Sequence, residues 1–339
     1  MNTFLHIITI VFFLMAIVLI CEVFTNAVEN LGKAFNIGSN AVGSIFAAIG
    51  TALPETIVPL VAILGAYLTN TDIKTGSDVC TGAILGSSFL ISTFAMFMTG
   101  LTIFCVQKNK IALNNTTSFL NDLRFFFPAY IVSIFTIFIT NEKIKYLIPL
   151  FLILYYLFYA TKTLKEAHGK CKGDACELHM NKLFKLQKIT PLIFIQLIIS
   201  LSLLIVVAKL FINEITYFSN VFNIQPFILS LIISPLATEL PEITNGVLWA
   251  KNNKNDLALS NLSGALVFQA TIPMAIGIAL TKWQFNYDAI VNVTLVLLAT
   301  LVLYSKAKFK EQLEAKDLIF CGIFYLIFIV IIVFNKTIL

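Results

Sequence analysis

The chain has 339 residues, of which 58% are apolar and 12% charged, with a net charge of +5. That balance excludes an ordinary water-soluble domain, because the apolar residues fall in runs long enough to cross a hydrocarbon core of about 30 Å. The net charge says little by itself; its distribution among the loops carries the information, and no nucleic-acid partner is expected.

In chain order, ten spans are expected at about residues 4–30, 40–68, 76–105, 124–140, 145–162, 189–213, 224–250, 255–281, 285–305 and 317–335. Met1 to Cys21 has no basic n-region and no small-residue cleavage site, so it reads as a first span and not as a removed signal. Lys108, Lys110, Arg124, the loop lysines from Lys165 to Lys188, Lys251, Lys254 and the run Lys306 to Lys316 fall on one side. The other side holds Lys74, Lys143, Lys145, Lys282 and Lys336. The positive-inside rule makes the rich side cytoplasmic and places both termini outside, in a multi-pass cell membrane protein.

Within the second span, Gly50-Thr51-Ala52-Leu53-Pro54-Glu55 puts a carboxylate and a proline in an apolar stretch, and Ala237-Thr238-Glu239-Leu240-Pro241-Glu242 repeats it. Each copy offers a hydroxyl and a carboxylate four residues apart, on one helical face. The proline between them removes a backbone donor and frees a carbonyl where an ion can use it. An ionisable group at membrane depth costs about 3 kcal/mol on insertion scales, so two of them beside proline breaks point to a midplane binding site.

The repeat is wider than the motif. Cys21–Glu55 aligns without gaps on Ala208–Glu242, with Phe24/Phe211, Asn26/Asn213, Phe35/Phe222, Asn36/Asn223, Ile37/Ile224 and Ile45/Ile232 matched. A second block matches Asp78, Gly86, Thr93 and Met96 to Asp256, Gly264, Thr271 and Met274. Two halves of five spans insert in opposite orientations, because an odd number of crossings reverses the second copy. The expected fold is therefore an all-α polytopic membrane protein of ten transmembrane helices in two inverted five-helix repeats. Residues 1–163 form the first repeat, 164–188 a cytoplasmic loop, and 189–339 the second repeat. This architecture lets one central site face alternate sides.

With these motifs the sequence resembles the sodium/calcium exchanger family of the cation/calcium antiporter superfamily. That family carries Gly-Thr-Ser-Leu-Pro-Glu on the second helix of each repeat and a Gly-Asn-x-x-Gly-Ser-Asn-like element on the third. The third-helix elements here read Gly82-Ala83-Ile84-Leu85-Gly86-Ser87-Ser88 and Ser260-Asn261-Leu262-Ser263-Gly264-Ala265-Leu266. The resemblance implies that Glu55 and Glu242 are the central cation carboxylates, with Thr51 and Thr238 as hydroxyl partners and Ser87 as a sodium ligand. Oxygen donors of these kinds suit a hard cation such as calcium. Two close glutamates in low dielectric repel, so one divalent ion, two monovalent ions or two protons serve equally to neutralise them.

The sequence also departs from the pattern. The position four residues after the third-helix Ser, where the family has Asn or Asp, is Ile91 in one repeat and Gln269 in the other. Glu239 stands where the family usually has Ser or Thr, and it shares a helical face with Glu242. Two readings fit it: a further charge in the site, or a residue facing a lateral water-filled crevice. Glu22, Asn26 and Glu29 recur at helical spacing on the first span, either beside an ion pathway or at the interface near its end. His6 reads as an interfacial residue.

The loop contains His168-x2-Cys171-x4-Cys176-x2-His179, four metal-capable side chains. A flexible solvated loop is the preferred reading, with zinc as the alternative; the six cysteines give no disulfide framework.

The expectation is thus a secondary antiporter, not an enzyme, that moves calcium out in exchange for sodium by alternating access. The alternative is a proton-coupled or differently selective divalent-cation exchanger. Its partners are inorganic cations and the bilayer, and apart from the loop zinc no cofactor is expected. A channel fits less well, because the carboxylates occur in two repeats and not as an oligomeric ring. Nothing resembles His-Glu-x-x-His or a nucleophile with its base, which argues against an intramembrane protease.

Overall fold

The computed structural model describes residues 3–34, 47–69, 72–107, 110–114, 116–166 and 189–338. The first half contains α1 (Thr3–Ala34), α2 (Ala47–Thr69), α3 (Ile73–Leu90), a π-helical turn at Ile91–Ala95, and α4 (Met96–Val106). A short strand β1 (Ile111–Leu113) follows, then α5 (Thr117–Phe135) and α6 (Glu142–Glu166). The second half contains α7 (Ile189–Phe222), α8 (Pro226–Thr238), α9 (Leu240–Lys251), α10 (Asn255–Gln269), α11 (Ile272–Leu280) and α12 (Tyr287–Lys310). It closes with β2 (Leu313–Glu314) and α13 (Ala315–Ile338).

Eight of the described helical stretches are long and apolar enough to cross a bilayer, and the pair α8 and α9, bent by 50°, makes a ninth crossing. The apolar part of α2, Pro54–Leu68, is the tenth. Contacts between loops fix the alternation. At one end β1 pairs antiparallel with β2, and the Gln107 amide donates to Asn255 Oδ1 at 2.8 Å. At the other end the Lys145 ammonium donates to the Lys282 carbonyl at 3.0 Å, and Asn286 donates to Gln225 at 3.1 Å. The links after α4, α9 and α12 therefore share the ribbon end, and those after α5, α7 and α11 share the far end.

The inverted repeat appears in the helices themselves. His6 faces Glu214 and Asn26 faces Gln196, so α1 and α7 run antiparallel along their whole contact. The third span of each half is interrupted at matched positions, by the π-helical turn at Ile91–Ala95 and by the break between Gln269 and Ile272. Thr93 and Thr271, matched in sequence, each return a hydroxyl hydrogen bond to the carbonyl four residues back, on Phe89 and Val267. The fourth spans match as well. Phe119, Asp122, Leu123, Phe126, Ala129 and Tyr130 are buried on α5, and Ala289, Asn292, Val293, Val296, Ala299 and Thr300 are buried in the same order on α12. That spacing is one stripe facing the interior, with lipid-facing side chains between.

Two details depart from the expected spans. The fourth span starts seven residues before 124, because its first turns carry the polar Asn121, Asp122 and Arg124 and hydropathy misses them. The seventh and eighth spans are each two helices. Pro241 and Pro273 sit in the first turn of α9 and α11, where a missing N–H costs nothing but the preceding helix cannot continue through it. Residues 167–188, which hold most of the expected cytoplasmic loop, lie outside the described residues.

The halves meet most closely where α3 crosses α8. A Cβ on Gly82 would sit 2.4 Å from the Phe227 carbonyl oxygen, and one on Gly86 would sit 2.2 Å from that of Leu231. Small residues four apart let backbones approach in this way, and the Ser230 hydroxyl closes the contact by donating to the Val79 carbonyl at 2.7 Å.

A candidate cation-binding site of three carboxylates

Glu55 lies in the interior of α2, one residue after Pro54. Its repeat partner Glu242 lies in the first turn of α9, and Glu239 is the hinge residue itself, at φ −93° between α8 and α9. Pro241 offers no N–H to the carbonyl four residues back, so the chain turns at Glu239 and aims its side chain inward. One carboxylate oxygen from each of Glu55, Glu239 and Glu242 lies within 4.8 Å of the others, and all three residues are buried. Of the two readings open for Glu239, the structure selects the one inside the cluster.

Gln269 ends α10 at the break and joins the cluster. Its Nε2 donates to Glu55 Oε2 at 3.0 Å and to Glu239 Oε2 at 2.9 Å, so one amide bridges both carboxylates. Ser87 is buried on α3 with its hydroxyl beside Glu239. Thr238 is buried, and its hydroxyl donates back to the Ser234 carbonyl at 3.4 Å. The Asn261 amide donates to the Glu242 carbonyl at 3.4 Å, which ties α9 to α10 beside the cluster. The side chain of Thr51 lies outside the described residues, as do His168, Cys171, Cys176 and His179, and their expected roles stand as expectations. Ile91, at the position matched to Gln269, is buried and apolar, so the site is asymmetric between the halves.

The charge balance of this arrangement is unusual for a dry interior. The groups acting on Glu55 are Glu239, Glu242 and Gln269, two acidic and one neutral. Glu55 Oε1, Glu239 Oε1 and Gln269 Oε1 are buried with no hydrogen-bond donor among the described residues. An unmet buried acceptor costs about 1–3 kcal/mol, more when charged, so the donor set fits a cation that takes several oxygens at once. Sequence reading had no signal for Tyr156. It reaches the site from α6, where its side chain lies near Glu55 and its ring meets that of Phe268 edge-on at 5.3 Å. It lies in an ordinary aromatic-rich span, and only the folding of the fifth span against the break brings it here.

Other sequence candidates settle away from the cluster. Asn26 is buried and accepts from the Gln196 amide at 3.2 Å, so it joins α1 to α7. His6, near the start of α1, is buried between α1 and α7. There its Nδ1 lies 2.7 Å from Glu214 Oε2 and its ring stacks on Tyr217 at 3.5 Å. Cys80 and Cys321 are buried free thiols, and Cys105 is an exposed one.

Comparison with known proteins agrees with this architecture. A solved structure of an H+/Ca2+ exchanger, CAX, superposes with a TM-score of 0.74 at 16% identity, covering 97% of this chain and 82% of that one. The sodium-calcium exchanger NCX_Mj superposes with a TM-score of 0.61 at 18% identity, covering 97% of this chain and 99% of its own. Likeness at these identities establishes a shared fold. Among curated sequences, "Inner membrane protein YrbG" of Escherichia coli is 22% identical over 262 residues, 77% of this chain and 75% of its own length. "Uncharacterized membrane protein MJ0091" of Methanocaldococcus jannaschii is 21% identical over 321 residues, 92% of this chain and 94% of its own. The family described as "Sodium/calcium exchanger protein" matches residues 5–164 and 192–334, nearly the whole of both halves, and the chain belongs to that family.

Proposed function

We propose that the protein exports calcium in exchange for sodium, with Glu55, Glu239 and Glu242 as the charges that carry either load. The observation that supports this most directly is the cluster itself: three buried carboxylates within 4.8 Å, supplied by α2, by the hinge between α8 and α9, and by the first turn of α9. The same three negative charges must be neutralised whichever ion occupies them. Calcium and sodium therefore compete for one site, and counter-transport follows when the uncompensated cluster is too costly to reorient.

Glu239 sharpens the stoichiometry. Two glutamates balance one divalent ion; three leave one negative charge over. A bare charge at membrane depth costs about 3 kcal/mol, so the calcium load carries one further monovalent cation, and a proton needs no additional ligands. The sodium load is three ions, with Ser87, Thr238 and the Gln269 carbonyl oxygen completing the oxygen donors. A proton-coupled exchanger is the second reading. Ile91 and Ala265 favour it, since neither provides the side-chain oxygen that a sodium ion would use. The ribbon end, with Lys110, Arg124, Lys251, Lys254 and Lys306 to Lys316, is the cytoplasmic end in this reading, and both termini face outward.

The test is uptake of a panel of divalent ions into proteoliposomes under imposed sodium, potassium or proton gradients. Calcium uptake driven by an outward sodium gradient is the expected result. Uptake that responds to none of the three gradients would sink the antiporter reading.

A further inference from the structure

The ribbon end holds a cavity that the cation cluster does not use. Its volume is about 430 Å³, and it opens between the start of α5 and the end of α12. Thr116 in its wall is buried, and its hydroxyl donates to the Ala307 carbonyl at 3.1 Å, which pins the two helices together there. The pairing of β1 with β2 joins the segments that lead into α5 and out of α12, so the walls are tied together twice.

The lining is unbalanced in charge. Two basic side chains line the cavity, Arg124 from α5 and Lys308 from α12, against one acidic side chain, Glu311. Lysines around it are paired off: Lys306 lies 3.9 Å from Asp317, and Lys310 and Lys316 lie 3.8 and 2.7 Å from Glu314. Arg124 and Lys308 have no carboxylate partner among the described residues. The Arg124 guanidinium donates to the neutral Asn121 amide oxygen at 3.2 Å, and the Lys308 ammonium lies 5.8 Å from the centre of the Tyr304 ring. α5 also begins here with no acidic residue in its first turn, so the positive end of its dipole adds to the two side chains.

Depth decides what kind of anion suits this place. α5 and α12 belong to the apolar crossings Thr117–Phe138 and Tyr287–Lys310, so their meeting ends lie where hydrocarbon gives way to headgroups. Below the charges the same helix faces turn aromatic. Phe127 follows Arg124 by three residues and Tyr304 precedes Lys308 by four, so each lies about one turn deeper on its helix. The two rings meet edge to face at 5.7 Å, and both side chains are half-buried. Charge above an apolar groove matches a phospholipid, whose phosphate and acyl chain follow in that order, and basic pockets between crossing helices take such headgroups. A free phosphate would satisfy the charges and leave the aromatic pair unused.

We propose that this cavity binds the phosphate of an anionic phospholipid, with Arg124 and Lys308 as its charge partners and the groove at Phe127 and Tyr304 as the seat of an acyl chain. Two basic side chains against one acidic leave a single positive charge, which one phosphodiester balances. The lipid bridges the fourth spans of both halves at one end of the molecule. Nothing in this depends on which ions the carboxylate cluster carries.

The experiment reads lipid retention by the purified full chain in detergent, using native mass spectrometry with phosphatidylglycerol, phosphatidylcholine and inorganic phosphate as probes. Wild type is expected to retain phosphatidylglycerol over phosphatidylcholine by about tenfold or more. Arg124→Gln and Lys308→Gln are each expected to lower that preference about fivefold. Lys316→Gln removes a charge already paired with Glu314, and is expected to leave the preference unchanged. Equal loss in all three variants would mean general attraction to a basic surface and would overturn the proposal. So would equal retention of the two lipids by wild type. Inorganic phosphate that displaces the lipid, and raises the thermal unfolding midpoint as far as the lipid does, would assign the cavity to a free anion and overturn the lipid as its occupant. If Arg124→Gln does not fold, Lys308→Gln decides, because Lys308 is exposed in the last turn of α12.

Discussion

At the scale of single residues, charge explains most of what this interior does. Glu55 and Glu242 are the repeat-related pair, and in the proposed function each brings a charge that the cargo must balance. Glu55→Gln and Glu242→Gln are each expected to abolish calcium uptake while the purified protein keeps its elution profile; wild-type uptake in either variant would remove that residue from the site. Glu239 acts differently. It is bridged to Glu55 through the Gln269 amide, with hydrogen bonds of 2.9 and 3.0 Å, and its charge exceeds what one divalent ion neutralises. Glu239→Gln is therefore expected to keep calcium binding but to lose the uptake of one proton or sodium ion with it. The check is calorimetric titration in buffers of different ionisation enthalpy, with and without sodium. An unchanged proton count would place Glu239 among structural groups.

At the scale of helices, close approach on one side of the molecule is not mirrored on the other. Gly86 and Gly264 are matched in the repeat, yet a Cβ on Gly86 would strike the Leu231 backbone at 2.2 Å, whereas one on Gly264 has room. Forcing a methyl group into a packed contact costs about 1–3 kcal/mol. Gly86→Ala is expected to lower the midpoint of thermal unfolding in detergent, and Gly264→Ala to leave it nearly unchanged; equal effects would mean that α3 and α8 can separate freely. The breaks also belong to this scale. The π-helical turn at Ile91–Ala95 and the gap after Gln269 leave irregular backbone at membrane depth, which is tolerated where protein or a binding cavity surrounds it. The second interruption borders the carboxylate cluster, since Gln269 at its edge donates to Glu55 and Glu239. Helix ends there bring Gln269 and Glu242 inward without exposing peptide groups to lipid.

At the scale of the whole molecule, ten crossings with alternating loops make orientation testable. Cys105 is exposed in the last turn of α4, near the ribbon end. A variant that keeps only this cysteine is expected to react with a membrane-impermeant thiol reagent in inside-out vesicles and not in intact cells. Labelling in intact cells would reverse the assigned orientation. Coupling is also a property of the whole carrier. If three sodium ions exchange for one calcium ion plus one proton, the net movement of charge is zero. Calcium distribution should then follow the sodium and pH gradients and ignore an imposed voltage. A reversal potential that shifts with voltage would show that calcium travels without its companion proton.

The sequence by itself determined the crossings, the inverted repeat and the Thr-x-Leu-Pro-Glu core, because these are local. Apolar runs, proline placement and matched residues at a constant offset do not depend on what packs against them. Tertiary structure alone decided which polar side chains share a site. Glu239 had two faces open to it until the hinge between α8 and α9 turned it toward Glu55, more than 180 residues away in the chain. Tyr156 and Asp122 gave no motif, since a single polar residue in an apolar span looks the same whether it clips helices or faces a site. His6 gave no sign of its partner Glu214, because only the antiparallel contact of α1 with α7 brings the two together. Hydropathy registers a residue's own transfer cost, whereas a buried charge is stabilised by partners supplied from other helices, and those are fixed only when the chain folds.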